Sequence, residues 1–200
     1  MHGSFSLDLD ELALTDIPGC VWQLLNEGVS KAASPLHTLT LATQGVTGPE
    51  VRTVVLRDAD EQAGAIVFHT DRRSGKLAQL ANAAAVSCLF YDRARKLQIR
   101  LGGTATVHSD DPLAEDRWQR SRDNSRQCYR HARAPGDILH SDPHLREPPE
   151  KIPGSGREHF TAVRIAVEQF DWLYLRAGGH HRARFEKRGP GRWAGIWIAP

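Results

Sequence analysis

Short runs of alternating apolar residues, each closed by a turn, fill the chain from Leu36 onward, and this pattern limits the fold more than any other feature of the sequence. "LHTLTLAT" sets Leu36, Thr38 and Thr40 against His37, Leu39 and Leu41. "TGPE" then turns the chain into "VRTVVLRD", and "DADEQAG" leads to "AIVFHT". These segments predict three strands in meander order. After the short helical stretch "SGKLAQLANA", the runs "AAVSCLFYD" and "KLQIRLGGTATVH" read as a hairpin of longer strands. Three closing strands, "HFTAVRIAVEQFDWLYLR", "HRARFEKR" and "RWAGIWIA", are separated by turns at Gly178-Gly179 and "GPG". Hairpins rather than regular helical crossovers join these seven or so strands. That favours an antiparallel barrel within a mainly β, α+β domain over a doubly wound sheet. The pair Gly102-Gly103 predicts a bulge, or a place where something approaches the backbone closely.

Helices are few. "TDIPGCVWQLLNEGVSKA" predicts one, with Thr15 or Asp16 as cap, Pro18 in the first turn, and Val21, Leu24, Leu25 and Val29 along one face. Ser109 is the expected cap of "DDPLAEDRWQRSR", where acidic residues crowd the first turn and basic ones the last, as the helix dipole favours. With 200 residues and 40% apolar content the chain can bury a real core, so a single domain over 1–200 is expected. It would hold an N-terminal helical segment over 1–33 and a long surface loop over 132–157 rich in Pro, Gly, Asp and His.

Charge and cysteine usage exclude several classes. The net charge of +2, from 26 Lys+Arg against 24 Asp+Glu, is too small for a general polyanion binder, so no nucleic-acid partner is expected and any anion site must be local. Cys20, Cys88 and Cys128 are odd in number and lack zinc-ribbon spacing, which fits reduced thiols in a cytoplasmic protein. The N-terminus lacks a signal-peptide pattern, and no run approaches the ~18 apolar residues that span a bilayer, so a soluble, unprocessed chain is expected. His140 and His144 flank Pro143 in a loop, and together with His180-His181 they offer no convincing metal site. Trp172, Trp193 and Trp197 read as core residues of closing strands. No Ser-His-Asp arrangement is legible.

One segment concentrates chemistry. Between Val51 and Leu80 lie Arg52, Arg57, Arg72, Arg73 and Lys76 around two apolar strands. In "HTDRRSGKLAQL" a strand ends at His69-Thr70, and Ser74, Gly75 and Lys76 fall where free backbone N–H groups at a helix start can hold an anion. Taken alone, a basic turn before a helix is most often solvated surface. Arg52 and Arg57, five positions apart on a strand, face opposite ways and need not share a site. Neither G-x-G-x-x-G nor G-x-x-x-x-G-K-[ST] occurs.

In order along the chain, "RTVVLR", "FHT", "SGK", "LQIRLGG" and "W172 … HRARF" resemble the pyridoxamine 5'-phosphate oxidase-like family of FMN-binding split barrels. The resemblance runs from about Leu36 to Pro200, apart from the long loop. It implies an antiparallel, Greek-key-like split β-barrel with a few flanking helices. It also implies a homodimer with flavin sites at the subunit interface, and FMN bound by Arg52, Thr53, Val54, Val55, Leu56, Arg57, His69, Thr70, Ser74, Lys76, Gln98, Trp172 and Arg184. Substrate contacts would come from Arg57, Trp118, Arg122, Ser125 and Arg182. The catalytic residue is not identified by the resemblance, and no metal is implied.

The chain departs from the family in several places. Gly75-Lys76 stands where the family commonly has Arg-Lys, a loss that Arg72 or Arg73 could offset. Arg57 replaces a Lys, Trp118 a Tyr, and His180-His181-Arg182 an Arg-Leu-His, while the Gln-Ser pair that reaches the other subunit's flavin is not recognisable in "CYRHARAPG". The resemblance therefore implies an FMN-dependent oxidoreductase acting on a small, anionic molecule. The alternatives are a non-catalytic FMN- or ligand-binding protein, a genuine pyridoxine/pyridoxamine 5'-phosphate oxidase, or a reductase using nicotinamide or a deazaflavin.

Overall fold

Alternation in the sequence becomes alternation in burial. Leu39, Leu41 and Thr43 point inward from β1 (Thr38–Gln44), as do Val86, Cys88 and Phe90 from β4 (Ala85–Asp92), while their neighbours face out. The computed structural model describes residues 8–139 and 154–200. Among the described residues eight strands form one antiparallel sheet. Its order is β3 (Ala65–Asp71), β2 (Pro49–Asp60), β1, β4, β5 (Leu97–His108), β6 (Phe160–Tyr174), β7 (His181–Gly189) and β8 (Arg192–Ile198). β3 also pairs along its length with β6, so the first six strands close into a barrel and β7 and β8 extend from its rim. This is the mainly β split barrel expected, and its eight strands fall on the segments read from the sequence.

The Gly102-Gly103 expectation holds in both its forms. The β5–β6 register shifts between these residues, and a Cβ on Gly103 would stand 2.0 Å from the carbonyl oxygen of Ala166. Two backbones touch where a side chain would have to fit. Gly103→Ala should therefore destabilise the fold by about 1–3 kcal/mol, the usual cost of overpacking. Urea unfolding would check this, and a variant as stable as the parent would contradict it.

α1 (Ile17–Ser30) packs Ile17, Val21, Trp22, Leu24 and Leu25 against the barrel. Asp16 takes its N-cap position without a side-chain cap bond, and Pro18 lies in the first turn. α2 (Gly75–Asn82) follows β3, and α3 (Pro112–Arg120) follows β5. The cap of α3 is Asp111 and not Ser109. Pro112 fixes the first helical position, so the Asp111 carboxylate is placed to accept the Ala114 N–H at 2.9 Å, while the Ser109 hydroxyl meets Thr161. A short α4 (Asp123–Arg126) and a 3-10 turn over Gln127–Arg130 were not anticipated. The expected N-terminal segment and long loop fall partly on residues 1–7 and 140–153, outside the described residues, as do His140 and His144.

Among the described residues no helix is long and apolar enough to cross a membrane, and no His, Cys, Asp and Glu side chains gather as a metal site. Cys20 and Cys88 are free and buried, and burial pushes their thiols up to about 11 and about 12, which leaves them unreactive.

Candidate functional site

The sequence-predicted residues fall into three places on the barrel surface, and a few lie in its core. The first place is the start of α2. β3 ends at Asp71, a tight turn follows, and Ser74 takes the N-cap position of the helix. Lys76 donates from Nζ to Thr70 Oγ1 at 2.8 Å and to Ser74 Oγ at 2.6 Å. Arg52, leaning along β2 toward the same end, donates to Thr43 Oγ1, to Gln79 Oε1 at 2.9 Å and to the exposed Glu50 carboxylate at 3.0 Å. Thr43 in turn donates to Gln79 Oε1 at 2.6 Å, which ties the inner end of β1 to the helix.

Burial first, and then the Arg52 charge, lowers the pKa of Lys76, against the opposing field of Asp71. Asp71 itself is held by Arg73 at 2.7 Å. Lys76 at the helix start and Arg52, which meets Gln79 about a turn further on, thus lie within electrostatic reach of each other, and the ground beside Gly75 is open: a Cβ there would meet nothing within 4 Å. Arg72 and Arg73 do not lean toward it. Arg72 pairs with Asp110 at 2.7 Å, and Arg73 binds Asp71 and the His131 carbonyl, so neither replaces the arginine that Gly75 lacks.

The second place is a cavity of about 390 Å³ between the far end of β2, β3 and α3, with Arg57, Asp58, His69, Arg117, Arg122 and Ser125 in its walls. The β2–β3 register shifts between Leu56 and Asp58, and Arg57 stands at that irregularity. Arg117 pairs with Asp58, whereas Arg57 and Arg122 make no ion pair or side-chain hydrogen bond among the described residues. His69 and Thr70 are consecutive in β3: the hydroxyl serves the Lys76 cluster and the imidazole lines the arginine cavity. Burial, with the Arg57 and Arg117 charges, pushes the His69 pKa down to about 3, so the ring is neutral at ordinary pH.

The third place is the outward face of the sheet, where Gln98, Arg182 and Arg184 stand on β5 and β7 and Thr53 and Val55 on β2. Asp171 accepts from Arg100 at 2.9 Å and from Arg182 at 3.0 Å, which leaves Arg184 without a partner among the described residues. Around them Val51, Leu89 and Tyr91 are exposed at 67%, 36% and 48%, an apolar and cationic surface open on one side.

Val54, Leu56, Trp118 and Trp172 lie in the core. Val54 and Leu56 can therefore offer a ligand only their backbone. Trp118 packs edge-on against Phe160 and Tyr129 with Arg126 over its ring at 4.9 Å, and does not line the cavity. Sequence reasoning missed Thr43, Gln79 and Arg117. Gln79 is three positions after Lys76 on one helix face, a usable signal. Thr43 continues the inward alternation of Leu39 and Leu41, but nothing local marks Arg117.

Residues 21–109 match the family described as pyridoxamine 5'-phosphate oxidase, FMN-binding domain, a stretch that holds the whole α2 cluster. The fold is a split barrel, and its first half resembles that FMN-binding domain. The split barrel is 35% identical over 80 residues to a pyridoxine/pyridoxamine 5'-phosphate oxidase of Maricaulis maris, covering 40% of this chain and 35% of that one. It is 30% identical over 115 residues to the enzyme of the same name from Psychrobacter cryohalolentis, covering 54% and 52%. The chain thus spans only a third to a half of the length of the curated relatives it matches.

Solved structures share the fold across nearly the whole chain. A pyridoxamine 5'-phosphate oxidase-related, FMN-binding protein of Nostoc punctiforme superposes with a TM-score of 0.72 at 24% identity, covering 94% of this split barrel and all of that chain. PhzG from Burkholderia lata, solved with tetrahydrophenazine-1-carboxylic acid, superposes at 0.67 with 20% identity, covering 96% and 95%.

Proposed function

We propose that the split barrel is a homodimeric, FMN-dependent oxidoreductase acting on a small anionic substrate. The observation that carries this reading is the convergence of Arg52 and Lys76 on the open start of α2, within the segment that matches an FMN-binding domain. A phosphate monoester brings close to two negative charges, which would relieve the repulsion between the two cations and accept from the Ser74 and Thr70 hydroxyls and the first N–H groups of the helix. The donor set therefore fits the FMN phosphate. Thr53 and Val55, facing out beside it, would form part of the wall for the ring. Held there, FMN would supply two-electron redox chemistry. Arg57 and Arg122, free in the neighbouring cavity, would hold the anionic group of the substrate and so fix which carbon is presented.

The reading is tested by adding FMN and riboflavin separately to flavin-free protein and following flavin fluorescence. FMN should bind clearly the tighter, and a candidate substrate should bleach the bound flavin without oxygen. Equal affinity for the two flavins would sink the phosphate site, and binding without bleaching by any small anion would favour a non-catalytic carrier.

The outward face is the surface on which a second copy would sit, since Val51, Leu89 and Tyr91 leave apolar area exposed beside Gln98 and Arg184. In the homodimer these last two would face the partner's flavin, and cofactor binding would then be linked to association. Light scattering of flavin-loaded protein at micromolar concentration should give a dimer, and a stable loaded monomer would refute it.

Pyridoxine and pyridoxamine 5'-phosphates should be poor substrates. Trp118 points into the core where the family has a phosphate-binding tyrosine, and Arg57 has a different reach and fork from the family lysine. In a peroxide assay with saturating FMN we expect turnover well below about 1 per second. A rate near that value would make the split barrel a vitamin oxidase.

A further inference from the structure

Resting on the proposed anion role of the Arg57 cavity, we infer that His69 is its specificity-determining group, a neutral imidazole that donates one hydrogen bond from Nδ1 to an anionic oxygen of the ligand. The two ring nitrogens differ in their surroundings. Nε2 is enclosed and has no hydrogen-bond partner, while Nδ1 is not enclosed and makes no hydrogen bond with the protein. The ring stands edge-on to Phe160 at 4.8 Å between centroids, so it cannot turn without losing that packing.

A buried N–H with no acceptor costs more than a buried lone pair with no donor, so the proton belongs on Nδ1 and the lone pair on Nε2. Protonating the ring would place an orphan N–H at Nε2 and a third positive charge beside Arg57 and Arg117, and both oppose it. The groups around the ring are Arg57 and Asp58 from β2, Arg117 and Arg120 from α3, Arg122 and Ser125 from the following turn and α4, and His37 from the other wall. Asp58 is already bound by Arg117, so no free carboxylate competes for the Nδ1 proton.

The arginines would attract any small anion. A single neutral donor, fixed in direction by Phe160, adds a geometric requirement that charge alone does not impose. Phosphate and carboxylate both offer the oxygen this needs. Titration with each as a probe separates the two sources.

The test uses full-length protein saturated with FMN, so that the α2 start is filled, and labelled with 15N in its histidine rings. His69 should appear as the neutral Nδ1–H tautomer from pH 5 to 8, and its Nδ1 resonance should move on titration with inorganic phosphate or, in a second arm, with benzoate. The probe that binds should bind His69→Phe at least about tenfold more weakly, as loss of a hydrogen bond to a charged group predicts, and His69→Asn, which keeps an N–H near the Nδ1 position, should recover most of that loss. An Nε2–H tautomer, titration between pH 5 and 8, or equal affinity of His69→Phe and parent for both probes would overturn the inference. Arg57→Ala separates the two readings. If it abolishes probe binding that His69→Phe leaves intact, only the role of His69 fails; if it too leaves binding unchanged, the anion reading of the cavity fails with it.

Discussion

Lys76→Ala and Arg52→Ala should each weaken FMN binding by about 1.5–3 kcal/mol, roughly tenfold to 150-fold, while leaving riboflavin affinity almost unchanged. Lys76 stands at the helix start and Arg52 meets Gln79 about a turn further on, and no buried carboxylate holds either: Lys76 is bound by Thr70 and Ser74, and Arg52 by Thr43, Gln79 and the exposed Glu50. Removing either leaves no unpaired buried acid behind, so the loss reports the missing contact to the phosphate. The double variant should lose more than either single, though less than their sum, because in the parent the two charges already repel each other. Fluorescence titration of all three variants measures this. FMN affinity unchanged in both single variants would remove the assignment.

The second large effect appears in acid. His69 in the folded chain titrates near 3, against an ordinary value of 6.5. Between those pH values the unfolded chain binds the proton and the folded chain does not, so the contribution of His69 to stability is complete above about pH 6.5 and falls as the pH drops toward 3. The slope should approach about 1.4 kcal/mol per pH unit in the middle of that window. His69→Phe removes the term, so its stability relative to the parent should rise by about that amount between pH 5.5 and 4.5. Urea unfolding at the two pH values gives the comparison directly. The carboxylates that also titrate there are common to both proteins and cancel. A stability difference that does not change with pH would mean that the imidazole is solvated.

Much of the barrel was legible because its strands bury one face. Leu39, Leu41, Val86, Cys88 and Phe90 announce their side of the sheet two residues at a time, and Gly102-Gly103 announces the bulge. Closure was not legible: the β3–β6 pairing joins Ala65–Asp71 to residues nearly a hundred positions later, and no local pattern encodes that contact. The cap of α3 was misplaced by two residues because Ser109 and Asp111 both suit the position, and only Pro112 and the helix direction decide between them.

The site divided in the same way. Arg52 and Lys76 stood out as charges near a turn, and the expectation that Arg52 and Arg57 face apart agrees with their separate surroundings. Thr43 and Gln79 are ordinary residues whose role arises only when β1 and α2 meet. Trp118 shows how far sequence position can lie from the site: the resemblance implied a ligand contact there, but the ring fills a core beside Phe160.

The adjacency of His69 and Thr70 on β3 also restricts how the gene for this fold can vary. One peptide unit separates the hydroxyl that meets Lys76 from the imidazole that meets the arginines, and the strand is clamped by β2 on one side and β6 on the other. A codon inserted between Ala65 and His69 would carry the ring to the helix start and Phe68 to the cavity, and a codon deleted there would carry the hydroxyl to the cavity and Asp71 to the helix start. Substitutions here change one chemistry at a time. Changes of length would change both at once, so descendants of this chain should vary in the letters of β3 long before they vary in its count.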